Sequence, residues 1–132
     1  MAEIKNYRRV RYAGEKEREN YMKVSFNGYD EKMITFACNE TVKKGSLVKL
    51  TQNGEVAACE DGDNFVGVAV NVRGGYAGVQ MGGYISVPVS GSAALGFQKL
   101  SAASGSAVKI AASGGREHLV LDVSEGFAGI LI

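Results

Sequence analysis

Tryptophan is absent, and proline and histidine each occur once. The lone histidine, His118, excludes a His–His metal site within one chain. It has Asp122 nearby in sequence but no Gly-x-Ser-x-Gly elbow, so a Ser–His–Asp hydrolase is not indicated. Only two cysteines are present, Cys38 and Cys59, with no CxxC spacing and no adjacent histidine. They make neither a disulfide framework nor a zinc or redox motif; either they form a single bridge or, the favoured reading, they are free, core-type thiols of a reducing compartment. A formal net charge of +1 gives no bulk electrostatic support for direct nucleic-acid binding. No apolar run is long enough to cross a membrane, and residues 1–20 hold no apolar core of a signal peptide. The expectation is a soluble protein with no export signal, no membrane contact, no cofactor, no metal and no catalytic residues.

Glycine is what the chain has in quantity, 18 residues in a length of 132. At that density glycine supplies the positive-φ positions of tight turns and bulges. With aromatics few, Val, Ile, Leu and Ala must fill the core. The length fits one domain.

Residues 1–20 differ from the rest, with half of their positions charged. Ile4, Tyr7, Val10 and Tyr12 are their only sizeable apolar groups, too few to offset the entropy of ordering the segment alone. It reads as a flexible charged arm. Either it stays solvated, or it orders on a partner, with Arg8, Arg9 and Arg11 meeting acidic groups while Tyr7 and Tyr12 supply apolar area.

From residue 21 onward the patterning is that of a single β-domain, 21–132. Met33–Cys38 reads as a strand. Asn53-Gly54 sits between the apolar runs around Leu47–Leu50 and Val56–Cys59, a hairpin signal that points to a type I′ turn. Glu60, Asp61 and Asp63 lack calcium-loop spacing and read as a solvated acidic turn. In Asp61–Val89, valines at 66, 68, 70 and 72 place one apolar face on a strand, with Gly67, Ala69 and Asn71 on the other. Gly74-Gly75-Tyr76 and Gly82-Gly83-Tyr84 form an echo eight residues apart. Neither has a phosphate-loop context, so both read as turns or bulges that reverse the chain. Arg73, Tyr76 and Tyr84 are then candidates for subunit or partner contacts, the alternative for the tyrosines being the rim of the core. Further strands are expected at Ala107–Ala111 and His118–Val123. An apolar C-terminal strand from Phe127 should pair in the sheet rather than stand in water. The expected fold is all-β, a compact sandwich or barrel of about eight to ten short strands.

Three stretches carry a resemblance: Val42–Leu50 with Asn53-Gly54-Glu55-Val56, then Asp61–Ala69, and Ile85–Val89. Together with Lys109–Ala112, Gly114–Glu117, Leu119–Val123 and Gly129-Ile130-Leu131, they resemble the head decoration, or capsid-stabilising, proteins of tailed bacteriophages and prophages. The resemblance covers about residues 40–132. It implies a non-enzymatic virion protein, made in the host cytoplasm, that binds the outside of an expanded capsid as a homotrimer and cements neighbouring copies of the major capsid protein. An alternative is a small β-barrel ligand- or carbohydrate-binding module or head-fibre base, since Val42–Leu50 is also similar to β-clip modules.

Overall fold

The computed structural model describes residues 24–132. The charged arm, and with it Tyr7, Arg8, Arg9, Arg11 and Tyr12, lies outside the described residues. Among the described residues the chain forms ten strands and no helix. The first five are β1 (Lys32–Cys38), β2 (Leu47–Gln52), β3 (Glu55–Ala58), β4 (Gly67–Arg73) and β5 (Tyr76–Gly82). They close into a barrel in the order β1-β3-β2-β4-β5. The last five are β6 (Tyr84–Pro88), β7 (Gly96–Ala102), β8 (Val108–Ile110), β9 (Arg116–Ser124) and β10 (Phe127–Leu131). They form a second sheet in the order β6-β10-β9-β7-β8. That sheet curls until its edges meet, where Val89, just past β6, makes a parallel bridge to Val108 and the Ser90 amide donates to the Val108 carbonyl at 2.8 Å.

The two halves share one topology. Each has a first strand paired antiparallel with its fifth, hairpins joining the second to the third and the fourth to the fifth, and an antiparallel pair between the second and fourth. In each, the first strand then meets the third in parallel, through Cys38 and Val56 or through Val89 and Val108. The register repeats at a spacing of 51 residues: Ile34 pairs with Val79 as Ile85 does with Ile130, and Phe36 with Ala77 as Val87 does with Ala128. The bulge repeats too, skipping Val70 in β4 and Leu121 in β9. In sequence the repeat is visible as Tyr76-Ala77-Gly78-Val79 and Phe127-Ala128-Gly129-Ile130.

One device recurs beside the bulges. Asn71 and Asp122, also 51 apart, lay their side chains over Gly78 and Gly129. A Cβ at Gly78 would come within 2.8 Å of the Asn71 Oδ1, and one at Gly129 would overlap the Asp122 carboxylate and the Tyr84 hydroxyl. These glycines are required for close approach rather than for backbone conformation.

Two cores result. Val42, Val48, Val56, Ala69, Ala77 and Val79 fill the barrel. Leu47, Cys59, Phe65 and Val68, on or beside the barrel, join Val87, Leu100, Ala102, Val108, Val120, Ala128 and Ile130 of the second sheet. This corrects the expected one-sided valine ladder. Val68 faces the second sheet while its neighbour Ala69 faces the barrel interior, so β4 is buried on both faces at its start. Val70 falls in the bulge and Val72 is exposed. The Asn53-Gly54 hairpin forms as expected, but not as a type I′ turn. Gly54 has φ 72°, Asp30 is the one described non-glycine residue with positive φ, and a bulge between Leu50 and Gln52 supplies the remaining adjustment. The C-terminal strand is paired on both sides, by β6 and β9.

Candidate functional site

The β4–β5 hairpin turns through Gly74 and Gly75, whose φ values of 57° and 83° are those of a type I′ turn. Arg73 and Tyr76 are the pair that closes it. The tip is tied to the end of β1, where the Cys38 amide donates to the Gly75 carbonyl and the Ala37 amide to the Gly54 carbonyl, each at 2.9 Å. Two hairpin tips are thus anchored on adjacent residues of one strand.

Pairing then sets a row of side chains across the barrel: Arg73, Tyr76, Ala37, Glu55 and Gln52. Their neighbours Ala77 and Val56 point into the barrel core, so by alternation this row points outward. Tyr76 is 59% exposed, Arg73 is exposed, and the Gln52 amide donates to the Glu55 carboxylate. The row offers a cation, an aromatic face, a shallow gap at Ala37 and an acid–amide pair. It can make contacts; it holds no arrangement of nucleophile and base. The second sheet repeats the position with Ser124, Phe127 and Pro88, and Phe127 is 47% exposed. Arg73 and Tyr76 stand out in the sequence as a basic–aromatic turn, whereas Phe127 does not. The spacing of 51 between Gly75-Tyr76-Ala77-Gly78 and Gly126-Phe127-Ala128-Gly129 is the signal that finds it.

Tyr84 does not join this surface, which corrects its place among the contact candidates. It is 6% exposed, Phe26 packs against its ring at 5.6 Å, and its hydroxyl donates to Asp122 at 2.8 Å. Burial, and then the bond to Asp122, hold the phenol well above its ordinary pKa. Gly82-Gly83 also differs from its apparent echo. It carries the chain from the barrel into the second sheet instead of folding a hairpin, and a Cβ at Gly83 would collide with the backbone of Tyr29 and Asp30.

No family model and no curated protein matches this chain.

The remaining polar groups are accounted for by packing. His118 is buried and stacks on Phe65 with ring centroids 4.9 Å apart. Its Nδ1 lies 3.2 Å from the Leu131 carbonyl, which fixes that nitrogen as the N–H donor, and the buried Nε2 has no hydrogen-bond partner among the described residues. Burial, reinforced by the charge of Arg116, lowers its pKa despite the bond to Leu131, so the ring is neutral. Asp122, four residues further along the chain, is engaged with Tyr84.

The acidic turn is clamped. The Lys49 ammonium donates to Asp63 at 2.7 Å, the Glu60 amide donates to the same carboxylate oxygen at 2.8 Å, and Lys109 meets Asp61 at 2.8 Å. The bonds from Lys49 and Glu60 hold the Asp63 carboxyl below the usual range, and Lys49 is raised by the same pairing. Among the described residues no group of His, Cys, Asp and Glu is placed to hold a metal ion. Both cysteines are free, and burial pushes the Cys59 thiol up to about 11.

Proposed function

We propose that this protein is a non-enzymatic phage structural protein that binds the outer surface of the expanded capsid and stabilises the shell. Its partner in this reading is the major capsid protein of a tailed phage, and several copies clamp neighbouring capsid subunits. Two lines of support converge. The resemblance spans about residues 40–132, and the observation that carries the reading is the outward row at Arg73 and Tyr76, mounted on a hairpin tied to β1. A cation beside an exposed tyrosine on a rigid support is a composition enriched at protein interfaces. A clamp gains from rigidity, because ordering costs at the contact are lowest when the hairpin is already fixed. Many copies then raise the cost of parting two capsid subunits through multivalency.

The experiment is to mix the purified protein with expanded, undecorated heads and image them by electron microscopy. Regularly spaced knobs are the expected result, and Arg73→Glu is expected to thin them out. Bare heads across all maturation states would refute the reading.

A further inference from the structure

The second sheet carries an apolar row on its outward face. Tyr84 pairs with Leu131, Leu131 with Leu119 and Leu119 with Phe97, across β6, β10, β9 and β7. Val120 and Ile130, neighbours of Leu119 and Leu131 along the strands, belong to the core, so by alternation the row points away from it. The barrel residues 51 earlier than Leu119 and Leu131 are Val68 and Gln80, and both are buried. The second half covers them: Val68 packs into its core, and the Gln80 amide donates to the Tyr84 carbonyl at 2.9 Å. The later row is left open at one end. Phe97 is 67% exposed, and Leu119 and Leu131 are half-buried, where an outward sheet face normally alternates to polar side chains.

Tyr84 is the covered end, and the incoming chain covers it. Phe26 packs on its ring, with centroids 5.6 Å apart. That ring leans over Gly129 of β10 to bond Asp122 of β9, which places Phe26 above the sheet face itself. Two backbone bonds hold the segment there, from the Tyr29 amide to the Phe26 carbonyl at 3.1 Å and from the Tyr84 amide to the Tyr29 carbonyl at 3.0 Å. Upstream, Met22, Val24 and Phe26 alternate with Lys23, Ser25 and Asn27, the pattern of an extended segment with one apolar face. Val24 is 61% exposed, so apolar surface is open on the incoming segment as well as on the row. The lengths match. Three strand spacings separate Tyr84 from Phe97, roughly 14 Å, and an extended chain from Phe26 back to Met22 spans about 13 Å.

We propose that the chain preceding Phe26 straps this row in its own molecule, Val24 lying over Leu131 and Met22 reaching Leu119 and Phe97 at the far end. The occupant is the segment of residues 1–23 together with Val24, continuing the contact that Phe26 begins. A segment tied at one end is held at high effective concentration over the face it covers, so few apolar side chains suffice to seat it. Arg73 and Tyr76, on the β4–β5 hairpin of the barrel, take no part in it. The inference stands independently of the shell-binding reading.

The test uses the full chain and follows, by mass spectrometry, the rate at which trypsin cuts after Lys23 at a low and a high protein concentration. A seated strap is cut only when it lifts, so the rate reads the lifted fraction. Wild type is expected to be cut slowly, and at the same fractional rate at both concentrations. Met22→Glu and Phe97→Glu place a charge on either side of the contact. Each is expected to speed the cut at least about tenfold with unchanged circular dichroism. The double variant should be cut no faster than the faster single one, because both changes break one contact. Leu50→Glu, at an exposed site on the barrel, should leave the rate at that of wild type. If Phe97→Glu loses its fold by circular dichroism, Phe97→Ser replaces it, and Met22→Glu, outside the strands, still reads the contact from the other side. Equal rates in wild type, Met22→Glu and the folded Phe97 variant would overturn the proposal. So would protection that rises with concentration, which assigns the row to a second copy, or acceleration by Met22→Glu alone, which seats the segment elsewhere.

Discussion

Replacing Gly129 by alanine tests the packing device beside the bulge. The added methyl would overlap the Asp122 carboxylate and the Tyr84 hydroxyl, which are bonded to each other at 2.8 Å over the glycine. Forcing a methyl into a filled site costs about 1–3 kcal/mol, and parting the pair leaves the buried Tyr84 hydroxyl unsatisfied at roughly 1–3 kcal/mol more. Gly129→Ala is therefore expected to destabilise by about 2–5 kcal/mol. Asp122→Ala alone strands the Tyr84 hydroxyl and should cost about 1–3 kcal/mol. In the double variant the carboxylate is gone before the methyl arrives, so the two losses are not additive. The double variant should be more stable than their sum implies by at least about 1 kcal/mol. Urea denaturation of the four proteins reads this cycle directly. Additive losses would show that the glycine is not needed for the close approach of Asp122, and the account of the device would be wrong.

Three other outcomes follow from the structure. Gly78→Ala should cost less than Gly129→Ala, because it meets only the exposed Asn71 side chain, which can swing away at the loss of its bond from the Gly78 amide, whereas Gly129 also faces the buried Tyr84 ring; equal urea midpoints for the two would contradict this. His118 has a folded pKa below its unfolded value of about 6.5, so the unfolded state binds the extra proton first. Its contribution is full above that value and is lost as pH falls through and below it. The urea midpoint should drop between pH 7.5 and 5, and His118→Phe should flatten the slope; an unchanged slope would count against it. Cys59, with its thiol raised to about 11, should resist iodoacetamide at pH 8 in the folded protein and react once unfolded, as followed by peptide mass spectrometry. Rapid native labelling at Cys59 would contradict its burial.

Local features were legible in the sequence where a residue type has one structural use. Asn53-Gly54 marked its hairpin, and the apolar run from Phe127 marked a paired strand. Features that depend on distant pairing were not. The valines of β4 suggested one buried face because nothing local announces that the second half covers the other. The parallel closure of β1 on β3 spans only two residue pairs, too short to leave a pattern. The 51-residue repeat is carried by register, a bulge and a glycine under a polar side chain, and few identical residues mark it. Tyr84 looked like a turn tyrosine by analogy with Tyr76, but the chain there passes between sheets and the ring is covered by Phe26. Of the candidate surface, Arg73 and Tyr76 are legible as an aromatic–basic turn, whereas Phe127 requires the repeat.

The most direct test of the shell-binding account is the affinity of the protein for expanded heads, measured for wild type, Tyr76→Ala, Phe127→Ala and the double variant by co-sedimentation. Both side chains are about half exposed, so each truncation should leave the thermal midpoint within a few degrees of wild type. The account predicts that each single variant binds at least about tenfold more weakly, as truncation of an aromatic anchor does, and that the double variant binds more weakly still. Wild-type binding undiminished in the folded double variant, or no binding by wild type, would contradict it.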